Sequence, residues 1–174
     1  MRILKAGACN NAGFTLVELS MVILVIGIVG ALVMPRFGGL LERQQMRRTI
    51  NAIRGYARYL QAYAASDKCV YLLMFDLDQQ VLSSASLATA SCPGQIRKLP
   101  DYVVPLTVRI LDVVTPEHEK IAEGQVTTLF FPNGFAQPST IHLGGIGVEP
   151  VTLIIEPLTG RVQVFEGYVE RQVS

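Results

Sequence analysis

Few side chains in the sequence have a type and spacing that suit chemistry, and Glu18 stands out among them. It is the only charged residue between Phe14 and Met34 in the stretch GFTLVELSMVILVIGIVGALVMPRF, residues 13–37. An ionised carboxylate in apolar surroundings costs roughly 2.5–3.5 kcal/mol on membrane-insertion scales, and it persists where it has a partner or a task. The other candidates are weaker. Asp76 and Asp78 offer two carboxylates to a cation, but a DxD at a hairpin tip ordinarily builds the turn itself. Glu117, His118, Glu119 and Glu123 make an acidic patch with one histidine, without the HExxH spacing of a zinc hydrolase. A solvated loop or short helix is expected there. Ser66, Asp67 and the two distant histidines carry no triad signal. The three cysteines include no CxxC pair. From these residues no catalysis, no metal and no cofactor are expected.

The elements that must hold Glu18 follow from hydropathy. A chain of 174 residues with a net charge of +1 suits one modest domain plus an apolar segment, and gives no support for bulk electrostatic binding of nucleic acid. The 21 residues from Phe14 to Met34 would rise about 31 Å as a helix, close to the ~30 Å of bilayer hydrocarbon. Soluble helices are rarely apolar on every side for so long, so a membrane span is expected. A cleaved secretory signal would use Arg2 and Lys5 as its basic region and a cut after Ala31. Glu18 and the polar Cys9-Asn10-Asn11 fit that poorly. A lipid-attachment box at Cys9 fails because the apolar run follows the cysteine. Arg36, Arg43, Arg47, Arg48 and Arg54 after the span outnumber Arg2 and Lys5 before it, so the positive-inside rule assigns no orientation.

Beyond the span, Met46, Ile50, Ile53, Ala57, Leu60 and Ala64 recur at helical spacing, widened by Tyr56, Tyr59 and Tyr63. Arg43, Arg47, Arg48, Arg54 and Arg58 lie mostly off this stripe, on a face that reads as solvated or subunit-contacting. A helix is expected to run from Phe14 to about Ala65, weakened around Gly30, Pro35, Gly38 and Gly39. The rest is expected to be β-rich. CVYLLMFDLDQQVLSS reads as a hairpin around Asp78-Gln79-Gln80, and LTVRILDVV alternates Val108, Ile110 and Asp112 against Thr107, Arg109 and Leu111. VTTLFFPNGF ends in a Pro-Asn-Gly turn, STIHL follows, and VTLIIEPLTGRVQVF is two strands hinged at residues 157–160. Gly134 and Gly160 are expected to take positive φ, and residues 144–147 to form a flexible loop. The expected class is α+β: a long N-terminal helix, membrane-spanning in its first half, packed against a C-terminal antiparallel β-sheet domain.

GFTLVEL, with a short basic leader before it and an apolar run after it, resembles the amino-terminal signature of type IV pilins and type II secretion pseudopilins. The resemblance implies that a prepilin peptidase cuts between Gly13 and Phe14 and that Phe14 becomes N-methylated. It places Glu18 fifth in the mature chain, as an assembly residue pairing with the Phe14 amine of a neighbouring subunit. Pairing within one chain, one turn apart, and a glutamate snorkelling at the membrane edge are the alternatives. Gly27 and Pro35 fall where relatives carry helix-weakening residues. Ser20 departs from the usual bulky aliphatic, but a serine can bond back to a helix carbonyl.

A second likeness lies in LFFPNGFAQPSTIHL followed by PLTGRVQVF, similar to the domain of the H-type minor pseudopilins and the minor pilins of the same group. It implies residues 1–13 as a cleaved leader, 14–35 as a transmembrane helix, 36–65 as its amphipathic continuation, and 66–174 as a β-rich periplasmic domain. It further implies a single-pass inner-membrane protein, a structural minor subunit near the tip of a type II secretion pseudopilus. The alternative is a minor pilin of a type IV pilus, for assembly or DNA uptake. The implied partners are the prepilin peptidase, other pilin-like subunits, the inner-membrane assembly platform and the lipid bilayer. No nucleic-acid partner is expected, since Arg161 and Arg171 are offset by Glu166 and Glu170. Cys9 would leave with the leader, placing Cys69 and Cys92 in an oxidising compartment, where a bridge is a possibility beside two buried thiols. Closing that 24-residue loop would stabilise the domain by ~3.4 kcal/mol in the chain-entropy account.

Overall fold

One face of the second helix is spent on a core that the rest of the chain has to complete. Met46, Ile50, Ile53, Ala57, Leu60 and Ala64 are all buried, as their spacing predicts. The computed structural model describes residues 14–33, 38–87 and 97–170. Helix α1 spans Leu16–Val33 and helix α2 spans Gly38–Asp67. Residues 34–37, with Pro35, lie between them and outside the described residues. The chain forms two units, Met1–Gly38 and Gly39–Ser174.

In the first unit, α1 has no polar face. Its large side chains are exposed all round, from Leu16 and Val17 through Val25 and Ile26 to Val29. Among the described residues no helix is long and apolar enough to cross a membrane. The 18 residues of α1 rise about 27 Å, short of ~30 Å of hydrocarbon, while the apolar run of sequence reaches from Phe14 to Met34.

In the second unit, α2 ends where Lys68 turns left-handed (φ 54°), the usual helix-stopping geometry in a residue other than glycine. Strands β1 (Tyr71–Asp76), β2 (Val81–Ser86), β3 (Tyr102–Val103), β4 (Val108–Thr115), β5 (His118–Ile121), β6 (Gln125–Phe130), β7 (Ser139–Gly145), β8 (Val148–Ile155) and β9 (Val162–Glu166) follow. The class is α+β, with every strand pairing antiparallel. The strands form two sheets, ordered β3-β2-β1-β6 and β5-β4-β7-β8-β9. The division falls at the Pro-Asn-Gly turn. β6 pairs back onto β1, with Val126 opposite Phe75, whereas β7 joins β4, with Ile141 opposite Val113.

The two sheets and α2 close one core. Leu73, Phe75 and Phe130 from the first sheet and Ile141, Leu143, Leu153 and Ile155 from the second join the helix stripe. β7 is buried almost throughout, as a central strand must be. Gln80, itself left-handed (φ 55°), ties the sheets together. Its side chain accepts from the Ile110 amide at 2.7 Å and donates to the Ile110 carbonyl at 3.2 Å. Gly134 (φ 86°) and Gly160 (φ 59°) take the positive φ expected of them, and a Cβ on Gly160 would lie 2.7 Å from the Gln61 amide.

Three local expectations are corrected. Residues 118–121, expected as loop or short helix, form β5, because Ile121 finds Val113 on the neighbouring strand. Gly144 and Gly145 complete β7, so the expected flexible loop is a tight hairpin turning at Ile146 and Gly147. Tyr56 and Tyr63 pack on the core, but Tyr59 is exposed, its position rotated off the stripe.

Candidate functional site

The start of α1 holds Phe14 and Glu18, two of the residues expected to serve processing and assembly. Thr15 caps the helix: its Oγ1 accepts from the Glu18 amide at 3.2 Å, and its carbonyl accepts from the Leu19 amide at 3.1 Å. Thr15-Leu16-Val17-Glu18 has the sequence pattern of a capping box, but only the Thr15 half is made; the Glu18 carboxylate bonds to no group among the described residues. Ser20 Oγ donates to the Val17 carbonyl at 2.8 Å, the back-bond expected of it. Phe14 and Glu18 are both exposed, and Glu18 sits in the first turn, where the helix dipole favours a carboxylate. Gly13 lies outside the described residues, so the junction itself is not seen. A Cβ added at Gly27 would meet nothing within 4 Å, so no close contact within the chain calls for glycine there.

Cys69 is buried just before β1 and is disulfide-bonded. Cys92, its expected partner, lies outside the described residues. Two residues after Cys69, Tyr71 donates to Asp67 Oδ2 at 2.7 Å; burial, then that carboxylate, raises the phenol above its ordinary range.

The two aspartates at the first hairpin serve their turn. Asp76 accepts from the Gln79 amide at 2.7 Å and from the Gln125 side chain at 2.9 Å, and Asp78 accepts from the Gly124 amide at 3.2 Å. The backbone bond from Gln79, then the Gln125 amide, holds Asp76 below the usual carboxylate range.

A buried polar cluster on the second sheet escaped the sequence reading. Asp112 on β4 faces His142 on β7 in direct register, and both are almost fully buried. His142 Nδ1 lies 2.5 Å from Asp112 Oδ1, and Nε2 lies 3.1 Å from the Val169 carbonyl. Each ring nitrogen thus has a hydrogen-bonding partner. Tyr168 donates to Asp112 Oδ2 at 2.9 Å and stacks on the imidazole at 3.8 Å between centroids. Thr152 Oγ1 donates to the Gly167 carbonyl at 2.7 Å and accepts from the Val169 amide at 2.9 Å. Both imidazole nitrogens are thereby engaged, and the cluster holds the segment after β9 against the second sheet. Simple alternation could not have found it: the register shift between Ile110 and Asp112 takes the carboxylate off the face of Val108 and Ile110 and sets it opposite His142, between the core residues Ile141 and Leu143.

Comparison with known proteins agrees with this geometry. Residues 9–34 match the prokaryotic N-terminal methylation motif. No curated protein sequence matches the chain. A solved structure of the minor pseudopilin EpsH from the type 2 secretion system of Vibrio cholerae is similar at TM-score 0.54 and 11% identity, covering 74% of this chain and 99% of that one. A crystal structure of EPSH from the same type II system gives TM-score 0.54 at 13% identity, covering 74% and 98%. At such identity the likeness is one of fold. The chain therefore combines the N-methylation motif of type IV pilins with a pseudopilin fold.

Proposed function

We propose that the chain is a structural minor subunit of a type II secretion pseudopilus, matured by prepilin peptidase and placed near the filament tip. The observation that carries this is the pairing of the methylation motif, on a helix with no polar face, with a carboxy-terminal unit of the EpsH-type fold. A helix exposing large aliphatic side chains all round is unstable in water. Lipid covers it before assembly, and the helices of neighbouring subunits cover it afterwards. In this reading residues 14–35 cross the inner membrane once, residues 36–65 continue toward the periplasm, and residues 66–174 fold there. Gly13–Phe14 is the cleaved bond, Phe14 the methylated terminus and Glu18 the assembly carboxylate. The role is structural, and the energy for assembly comes from the platform and not from this chain.

The test is the intact mass of the membrane-extracted chain from cells with and without the peptidase. A peptidase-dependent product beginning at N-methylated Phe14 is expected. An uncut chain, or one beginning at Leu32, overturns the proposal. Co-purification with secretion subunits, as opposed to type IV pilus subunits, then separates the pseudopilus from a minor pilin, which the motif alone leaves equal.

A further inference from the structure

Arg43, Arg47, Arg54 and Arg58 fall within an arc of about 60° on α2, one row along a single side of the helix. All four are exposed, and among the described residues none makes an ion pair or a side-chain hydrogen bond. Arginines four apart repel by a few tenths of a kcal/mol per pair, and no ion pair among the described residues offsets it. The row flanks two adjoining clefts between α2 and the β8–β9 edge of the second sheet. One, of about 670 Å³, is bounded by Arg54, Arg58 and, from the β8–β9 turn, Arg161. The nearest carboxylate on that turn, Glu156, is already taken by the Thr159 hydroxyl at 2.7 Å and the Gln163 amide. The other cleft, of about 630 Å³, has Arg43 and Arg47 on one wall, Glu149 and Glu166 on the other, and an apolar floor including Ile50 and Val164.

The floor is rigid and its far side is open. Gln61 donates from α2 to the carbonyls of Gly134 (2.9 Å) and Thr159 (2.6 Å), so the turn bearing Arg161 is pinned to the helix. β9 is the last strand of its sheet and pairs only with β8 among the described residues, leaving one row of backbone donors and acceptors free. Val162, Val164 and Glu166 alternate toward the clefts, so a strand added to β9 would turn every second side chain to the same side. From Arg43 to Arg58 the helix rises about 22 Å, the span of about seven extended residues.

We propose that this edge docks an extended acidic segment of a neighbouring subunit, adding to β9 and directing its carboxylates at Arg54, Arg58 and Arg161. Guanidinium forks suit carboxylates, and strand addition gives affinity while the side chains give selectivity. The partner's identity as a filament neighbour rests on the function proposed above; the recognition chemistry does not.

The test uses the full chain in detergent and fluorescence anisotropy of a labelled octapeptide alternating Glu and Val. Controls are the Lys–Val octapeptide, the Glu–Val peptide N-methylated at alternate amides, and pentathymidylate of equal charge. Binding of the Glu–Val peptide is expected, weakened at least tenfold by combined R54E, R58E and R161E and by backbone methylation, with the other probes weak. Thermal melts check that the variants fold, and R161Q alone, at an exposed turn position, gives a smaller loss in the same direction. No binding, or equal binding by the triple variant, overturns the proposal. Insensitivity to methylation overturns strand addition, and tighter pentathymidylate binding replaces the acidic segment with nucleic acid. Peptide binding needs no prepilin processing, so its failure stands apart from failure of the mass measurement.

Discussion

Asp112→Ala should be among the most damaging single changes in the β-rich unit. The carboxylate is 4% exposed and receives His142 at 2.5 Å and Tyr168 at 2.9 Å, with the half-exposed Lys120 at 3.7 Å. Removing one partner of a buried pair leaves an uncompensated group, which costs about 3–5 kcal/mol. Lys120 adds little at its exposure. For a chain of this length each kcal/mol shifts Tm by about 2–4 °C, so a fall of roughly 10–15 °C is expected. Asp112→Asn keeps an acceptor toward His142 and should lose distinctly less. The assay is thermal unfolding of the full chain in detergent, with amide exchange at Val169 as the local readout. Once His142 is no longer oriented by the carboxylate, its bond to the Val169 carbonyl weakens and that segment should exchange faster. A loss below about 1 kcal/mol would refute the account. So would additive effects of Asp112→Ala and His142→Ala in a double-mutant cycle, because residues in one network must couple.

Glu18→Gln should leave the helix cap and the cleavage at Gly13–Phe14 intact yet abolish co-purification with filament subunits; normal incorporation would remove the charge from the account of assembly. Gly160→Ala forces a side chain into positive φ and against the Gln61 amide at 2.7 Å. It should cost at least 1–2 kcal/mol, measurable as a lowered Tm, and Gly147→Ala, where nothing crowds the site, should cost less. Alkylation of the extracted mature chain should label neither Cys69 nor Cys92 without reductant and both with it. Two labels without reductant would end the proposed bridge.

The sequence made the periodic elements readable and left the pairings dark. The α2 stripe, the hairpin around residues 77–80 and the glycines at 134 and 160 are local facts, written in spacing and turn chemistry. The division into two sheets depends on which strand β6 and β7 choose, a matter of contacts between distant strands that no local pattern encodes. β5 is a similar case: His118-Glu119-Lys120-Ile121 has little intrinsic preference for a strand and becomes one by pairing with β4. The Asp112–His142 cluster was half legible. The sequence shows a carboxylate within an apolar strand, but a register shift at Asp112 breaks the alternation, and its partner stands 30 residues away and meets it only through pairing. At the helix start the capping role of Thr15 was overlooked because the segment was read for its hydropathy.

That capping role sharpens the question of why a carboxylate stands in α1 at all. The cap itself is made by Thr15, and a carboxylate near the positive end of a helix gains only roughly 0.3–1 kcal/mol. Holding an ionised group in hydrocarbon costs about 2.5–3.5 kcal/mol. The local interaction therefore offsets only part of the penalty, and glutamine would avoid it. What glutamine cannot do is neutralise a cation. An amine at Phe14, freed by cleavage, carries a charge at neutral pH, and in a low-dielectric setting its attraction to Glu18 grows severalfold over that in water. On the function proposed above, the balance closes when the Phe14 amine is that partner, and removing either the cleavage or the carboxylate should then add nothing to the loss caused by the other, read as co-purification with filament subunits.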